Sequence, residues 1–193
     1  MCELIDTHRE LLESWRHAMN LVGPGALDAH YEDSGLAMEG LTPEGRWADL
    51  GTGAGFPGVV LCGLHPDLHL DLVDSRKKRC VFLEEVFSHA KKAAKEGTHW
   101  NARVLCQRVE DLPEEAYDGI VARAFAPPAH VLDHALRLLC PGGVAVLMLA
   151  QGQPVPEPPE GLRFLGERRY EVQGKLRCVR EYQRVEQLPE AAG

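Results

Sequence analysis

The chain has 193 residues, 45% of them hydrophobic, and a formal charge of −8 at pH 7 from 21 basic and 29 acidic side chains. That length suits one domain with a sizeable core and leaves little room for two independent ones. No apolar run reaches the roughly 18 residues that span a bilayer, and the opening MCELIDTHRE lacks the charged-then-apolar order of a signal peptide, so a cytoplasmic protein without membrane contact is expected.

Leu4, Ile5, Leu11, Leu12, Trp15 and Met19 recur near helical spacing, which predicts a helix over about 2–20, ended by a turn at Gly23, Pro24 and Gly25. A short helix is expected around 31–41. The first strand, near 46–50, runs into DLGTGAGFPG at 49–58, where Gly51, Gly53 and Gly55 form a strand-to-helix turn that lets backbone approach a ligand closely. A dinucleotide fingerprint needs G-x-G-x-x-G, with its third glycine packing helix on strand while pyrophosphate rests on the helix N-terminus. Here the spacing is G-x-G-x-G and Phe56 holds the later position, where a ring crowds a diphosphate but suits an apolar or aromatic ligand group. Asp49, before the loop, disfavours phosphate and suits the ammonium of an amino-acid-bearing cofactor. S-adenosylmethionine meets both conditions.

A helix over 57–64 leads to a second strand at 68–74, which ends at Asp74, 23 residues after Gly51. A carboxylate about 20 residues beyond the loop can accept both ribose hydroxyls of an adenosine ligand. Ser75 adjoins it at the same edge. Arg76, Lys77, Lys78 and Arg79 then open a helix expected over 76–96, and cations there oppose the macrodipole at a cost of about 0.3–1 kcal/mol each, which hints at a phosphate-facing role.

Further strands are expected near 102–107, 117–122 and 143–149, with a helix near 128–140 before the last of these. Val109 and Glu110 follow the third strand, as an adenine wall or as a helix cap. Arg123 ends the fourth, where a charge needs a partner, either a carboxylate that ties down the loop or a nucleic-acid phosphate. Pro154, Pro156, Pro158 and Pro159 make a stiff connection to two more strands, about 162–170 and 176–184, around a Gln173-Gly174 hairpin turn. The order is that of an α/β fold with a mostly parallel sheet. One domain is expected, with a helical extension at 1–44, a cofactor-binding core at 45–153 and an edge hairpin and tail at 154–193. In open sheets ligands sit beyond the carboxyl ends of the strands, where Gly51, Asp74, Glu110 and Arg123 all arrive.

The segments DLGTGAGFPG (49–58), LVDSRKKRCVFL (72–83), QRVEDL (107–112) and YDGIVARAFA (117–126) resemble the glucose-inhibited division protein B (GidB) family. So do Trp15, Asn20 and Leu21, in a W-x4-N-L pattern, and His30, Asp33 and Ser34, in an H-x-x-D-S pattern. The likeness covers about 13–153 with the motifs in order. It implies a Rossmann-like class I S-adenosylmethionine-dependent methyltransferase fold, with a seven-stranded sheet, helices on both faces and an N-terminal helical extension. It also implies transfer of a methyl group to guanine N7 in small-subunit (16S) ribosomal RNA, with that RNA or the small ribosomal subunit as partner. Carried over, Gly51 and Phe56 contact the cofactor, Val109 and Glu110 meet the adenine, and Arg123 lies near the methionine end.

The residues fit such an acceptor. Methylation of a pyrimidine at C5 ordinarily needs a cysteine after the fourth strand, and exocyclic amines are often held by Asn or Asp before Pro-Pro and an aromatic. The chain has Ala126-Pro127-Pro128-Ala129 there. Guanine N7 carries an in-plane lone pair and no proton, so alignment supplies the rate and no catalytic base is expected. Six scattered cysteines without C-x-x-C and nine scattered histidines without H-E-x-x-H predict neither disulfide nor metal.

Two features pull the other way. Family members usually carry a lysine where Gln151 stands, and residues 1–50 hold ten acids against three Lys or Arg. Against these, 161–184 hold seven basic residues and three glutamates. A methyltransferase of the same fold with a small-molecule or protein acceptor, a nicotinamide-dependent oxidoreductase and a cofactor-binding regulator without turnover are the competing readings.

Overall fold

The computed structural model describes residues 2–19, 21–22 and 26–186, the side chains of 16–19 excepted, so the turn expected at 23–25 and Asn20 lie outside the described residues. Seven strands form one sheet: β1 (Arg46–Leu50), β2 (His69–Val73), β3 (Ala102–Leu105), β4 (Tyr117–Arg123), β5 (Leu139–Ala150), β6 (Leu162–Val172) and β7 (Lys175–Arg184). Their order is β3-β2-β1-β4-β5-β7-β6. The first five run parallel and β7 is antiparallel to both β5 and β6. The chain leaves β1 outward through β2 and β3, then returns to start β4 on β1's other side. That reversal opens a crevice beyond the carboxyl ends of β1 and β4.

The central strands are buried on both faces, as their apolar runs require. On one face lie α1 (Glu3–Met19), α2 (Leu27–Met38), α3 (Gly58–Leu64) and α4 (Lys77–Ala93), around a core of Leu4, Leu12, Leu61, Leu72, Phe82 and Val86. On the other lies α5 (Pro128–Leu138), whose Val131, Leu132, Ala135 and Leu138 meet Ile120, Leu147 and Tyr182. Helices therefore cover both faces of a mostly parallel seven-stranded sheet, with α1 and α2 as the N-terminal extension.

Element boundaries depart from expectation in two instructive places. The second helix begins at Leu27, four residues before the expected 31, and ends at Met38. Strand β5 begins at Leu139, inside the expected helix, because Leu139 pairs with Tyr117 and the Pro141-Gly142 step is taken up by a register shift against β4. The hairpin turn falls where expected, with Gln173 and Gly174 both at positive φ, as a two-residue primed turn needs.

Candidate functional site

The glycine loop is fastened from below and from the side. Thr52 N–H donates to Val73 O at 2.9 Å and Gly53 N–H to Asp74 Oδ2 at 3.1 Å, so the loop after β1 is tied to the end of β2. Gly51 adopts φ +67°, and a Cβ there would overlap the Phe125 ring. Gly55 serves packing instead, since its Cβ would meet Val59 at 2.6 Å and Leu83 at 2.9 Å. It does the work of the third glycine in the dinucleotide spacing, one residue early.

A cavity of about 350 Å³ opens beside the loop, lined among others by Gly51, Asp74, Ser75, Val109, Glu110 and Phe125. Asp74 accepts from Gly53, from Arg76 N–H (2.8 Å, Oδ1) and from Arg79 Nη1 (3.0 Å, Oδ2). Val109 is buried in a 3-10 turn at Val109–Asp111, while Glu110 is exposed beside Arg108, whose charge helps hold its carboxyl below the ordinary value after its own backbone amide. Five of the expected cofactor residues, Gly51, Asp74, Ser75, Val109 and Glu110, thus share one wall.

A second cavity, of about 270 Å³, meets the first at Ala124, which lines both and holds φ +50°. Arg123 lies here. Its Nη1 donates to Asp33 Oδ2 at 3.1 Å, its Nη2 faces His30 Nδ1 at 3.4 Å, and its guanidinium covers the Phe56 ring at 5.0 Å. Asp33 also accepts from Tyr170 O–H at 2.8 Å, with Arg177 at 3.9 Å. Burial, then the Arg123 charge, lowers the His30 pKa, so His30 is neutral and its Nδ1 accepts. Of the two partners weighed for Arg123, the carboxylate is the one engaged.

Four of the expected site residues, Asp49, Gly53, Gly55 and Phe56, line neither cavity. Asp49 is wholly buried beneath the loop, where its Oδ2 accepts from Gly58 N–H at 2.8 Å at the start of α3. Burial pushes its carboxyl up to about 6; the adjacent Thr52 hydroxyl and the Gly58 amide offset part of that. Asp49 Oδ1 and Thr52 Oγ1 meet no partner in hydrogen-bond geometry among the described residues. Gly53 contributes its amide to Asp74 and Gly55 its lack of a side chain. Phe56, expected against a ligand, packs inside protein: edge-on to His8 (5.2 Å) and Tyr31 (4.9 Å) and stacked with His30 (5.2 Å).

Sequence reasoning missed His8. It is fully buried, donates from Nε2 to Ala54 O at 2.6 Å and accepts at Nδ1 from Tyr31 O–H at 2.6 Å, joining α1 and α2 to the glycine loop. Burial, with a smaller push from Arg9, lowers its pKa to about 4. An unfolded histidine takes up its proton near 6.5, so His8 contributes stability that is complete above that pH and is lost as pH falls toward 4. Replacing His8 by Phe should therefore destabilise the fold at pH 7, and the deficit should shrink by about 2 kcal/mol between pH 6.5 and 5. Urea unfolding of both proteins at the two pH values checks this, and equal deficits would refute a neutral His8.

The donor set fits S-adenosylmethionine. It offers a carboxylate and an apolar wall for a nucleoside and a close backbone approach at Gly51. Among the described residues no group of His, Cys, Asp and Glu could hold a metal, and no helix is long and apolar enough to cross a membrane.

Residues 1–156 match the family model described as rRNA small subunit methyltransferase G. The chain belongs to that family. It is 34% identical over 151 residues to the ribosomal RNA small subunit methyltransferase G of Paracoccus denitrificans, covering 76% of this chain and 75% of that one. To the same-named protein of Symbiobacterium thermophilum it is 35% identical, over 99% of this chain and 78% of that one. Among solved structures, the Burkholderia thailandensis 1,6-didemethyltoxoflavin-N1-methyltransferase, bound to S-adenosylhomocysteine, superposes with TM-score 0.60 at 15% identity, over 93% of this chain and 87% of that one. Pyrococcus horikoshii TYW2, in complex with MeSAdo, gives 0.59 at 14% identity, over 82% and 64%. These establish the class I methyltransferase fold, and with the family membership they make the chain a methyltransferase whose donor is S-adenosylmethionine. The nicotinamide reading falls with the G-x-G-x-G spacing that first disfavoured it.

Proposed function

We propose that the chain methylates N7 of a guanine in small-subunit (16S) ribosomal RNA, in the cytoplasm, holding donor and target base on either side of Ala124. The observation that carries this reading is the junction of two cavities of different character. One has the carboxylate and apolar wall of a nucleoside site; the other has aromatic and guanidinium groups suited to a flat, hydrogen-bonding base. When bound, S-adenosylmethionine supplies a sulfonium-activated methyl group. Asp74 and Ser75 take the ribose, Val109 and Glu110 the adenine edge, and Gly51 the close backbone contact. Asp49, from beneath the loop, adds negative potential on the ammonium side.

Among the described residues, no group around the second cavity is placed to remove a proton. Asp33 is spent on Arg123 and Tyr170, and His30 accepts from Arg123. An acceptor nitrogen with a free lone pair requires none, so Arg123 and Tyr170 act by orienting the base. Turnover at saturating substrate should accordingly be flat from pH 7 to 9 when the methyl-transfer step is measured in single turnovers. Mapping N7-methylguanine in small-subunit RNA from cells with and without the protein should show one position lost. An unchanged map, with methyl groups entering protein or metabolites instead, would favour the competing acceptors.

A further inference from the structure

Beside the target cavity runs a third depression, of about 360 Å³, between the end of β5 and the β6–β7 hairpin. Leu149, Ala150, Gln153 and Arg177 line both, so the two adjoin around the end of β5, with Tyr170 and Arg177 on the Asp33 face of the sheet and Glu167, Arg169 and Arg180 on the other. Arg169 and Arg180 stand in the hairpin wall, opposite Gln151 and Gly152. Their Nε atoms each donate to one Glu167 carboxylate oxygen at 2.7 Å, so two cations share a single anion. Arg177 adds a third cation, 3.9 Å from an Asp33 already engaged by Arg123 and Tyr170. Each guanidinium has five N–H donors, and most are unspent.

We infer that this groove seats phosphates of the RNA strand next to the target base, with the hairpin arginines supplying the charge that Gln151 lacks. The inference rests on the RNA reading above. A lysine at 151 would project from the β5 side of the groove, and the hairpin side carries Arg169 and Arg180 instead, in a segment beyond the residues 1–156 that the family model matches. On a chain of net charge −8, phosphate binding needs such a local excess of cations. Gly152 has no heavy atom near the place of a missing Cβ, so backbone can come close to the strand there.

The test uses Glu167→Gln/Arg169→Gln/Arg180→Gln, which removes the cluster without stranding a carboxylate, on whichever substrate the wild type methylates, small subunits or free small-subunit RNA. The expected result is a KM for RNA raised about tenfold, an unchanged kcat and unchanged S-adenosylmethionine affinity. The slope of log affinity against log salt should fall by about 1.4, the value for two single-strand phosphate contacts. Adding Gln151→Lys should recover part of the KM. Lys91→Gln/Lys92→Gln, at the exposed far end of α4, should do nothing. Wild-type KM and salt slope in the triple variant would overturn the groove, as would an equal effect from the Lys91/Lys92 pair or no recovery by Gln151→Lys. Failure of the wild type itself to methylate RNA would instead overturn the reading beneath it.

Discussion

Asp74→Ala is expected to weaken S-adenosylmethionine binding by about a hundredfold. Hydrogen bonds to a charged group contribute about 1.5–3 kcal/mol each, and losing both ribose hydroxyl contacts at the low end removes about 3 kcal/mol, or two orders of magnitude. The carboxylate also anchors Gly53 N–H and Arg76 N–H, so its loss loosens the loop as well as removing the acceptor. A carboxylate has about four acceptor positions. Three are in use, one of them by Arg79 at 3.0 Å, so a ribose bringing two hydroxyls has to displace that guanidinium. Arg79→Gln should therefore leave affinity within about threefold of wild type, although it removes a salt bridge to the same side chain. Isothermal titration of both variants decides the matter. Unchanged affinity in Asp74→Ala would take Asp74 out of the site, and a hundredfold loss in Arg79→Gln would make the guanidinium, not the carboxylate, the ligand-holding group.

What the sequence made legible was whatever depends on neighbours along the chain. Gly51 and Asp74 were readable because a strand-to-turn glycine and a strand-end carboxylate keep their places whatever packs around them, and the Gln173-Gly174 turn because its conformation is a local demand. The surroundings of Phe56 were not legible for the opposite reason. They come from His8 on α1 and from His30 and Tyr31 on α2, and nothing local says which residues a ring will meet. Asp49 looked like a ligand for an ammonium, yet its nearest donor is the Gly58 amide nine residues on, a bond any acid before a short loop and helix could make. The pairing of Arg123 with Asp33 spans 90 residues and that of Tyr170 with Asp33 spans 137. The H-x-x-D-S pattern was the one available signal, because it sets His30 and Asp33 three apart on one helix face. It indicated a shared face but not what that face would meet.

Asp71 gives the sharpest case, because it lies on β2 three residues before Asp74, which directly follows that strand, and reads identically in sequence. It is wholly buried, with Arg46 Nη2 at 2.7 Å, Arg103 Nε at 2.5 Å and Tyr117 O–H at 2.9 Å, so one carboxylate ties β1, β3 and β4 to β2. Burial alone would raise its pKa, but hydrogen bonds from Arg103, Arg46 and Tyr117 outweigh that and hold it below the ordinary value. Asp71→Asn should destabilise the fold by about 3 kcal/mol, the lower end for a buried charge deprived of its partner, because Arg103 and Arg46 are 51% and 29% exposed and water takes over part of their solvation. A carboxyl with a depressed folded pKa contributes stability above its unfolded value and loses it as pH falls through the folded one. The gap between wild type and variant should therefore be full at pH 7 and close below about pH 4. Urea unfolding should show a lower midpoint at constant slope. S-adenosylmethionine affinity, measured well below the transition, should stay within about twofold of wild type. An affinity loss as large as that of Asp74→Ala would mean that strain in the strand network reaches the cofactor cavity, and the two carboxylates would then have to be treated as one unit.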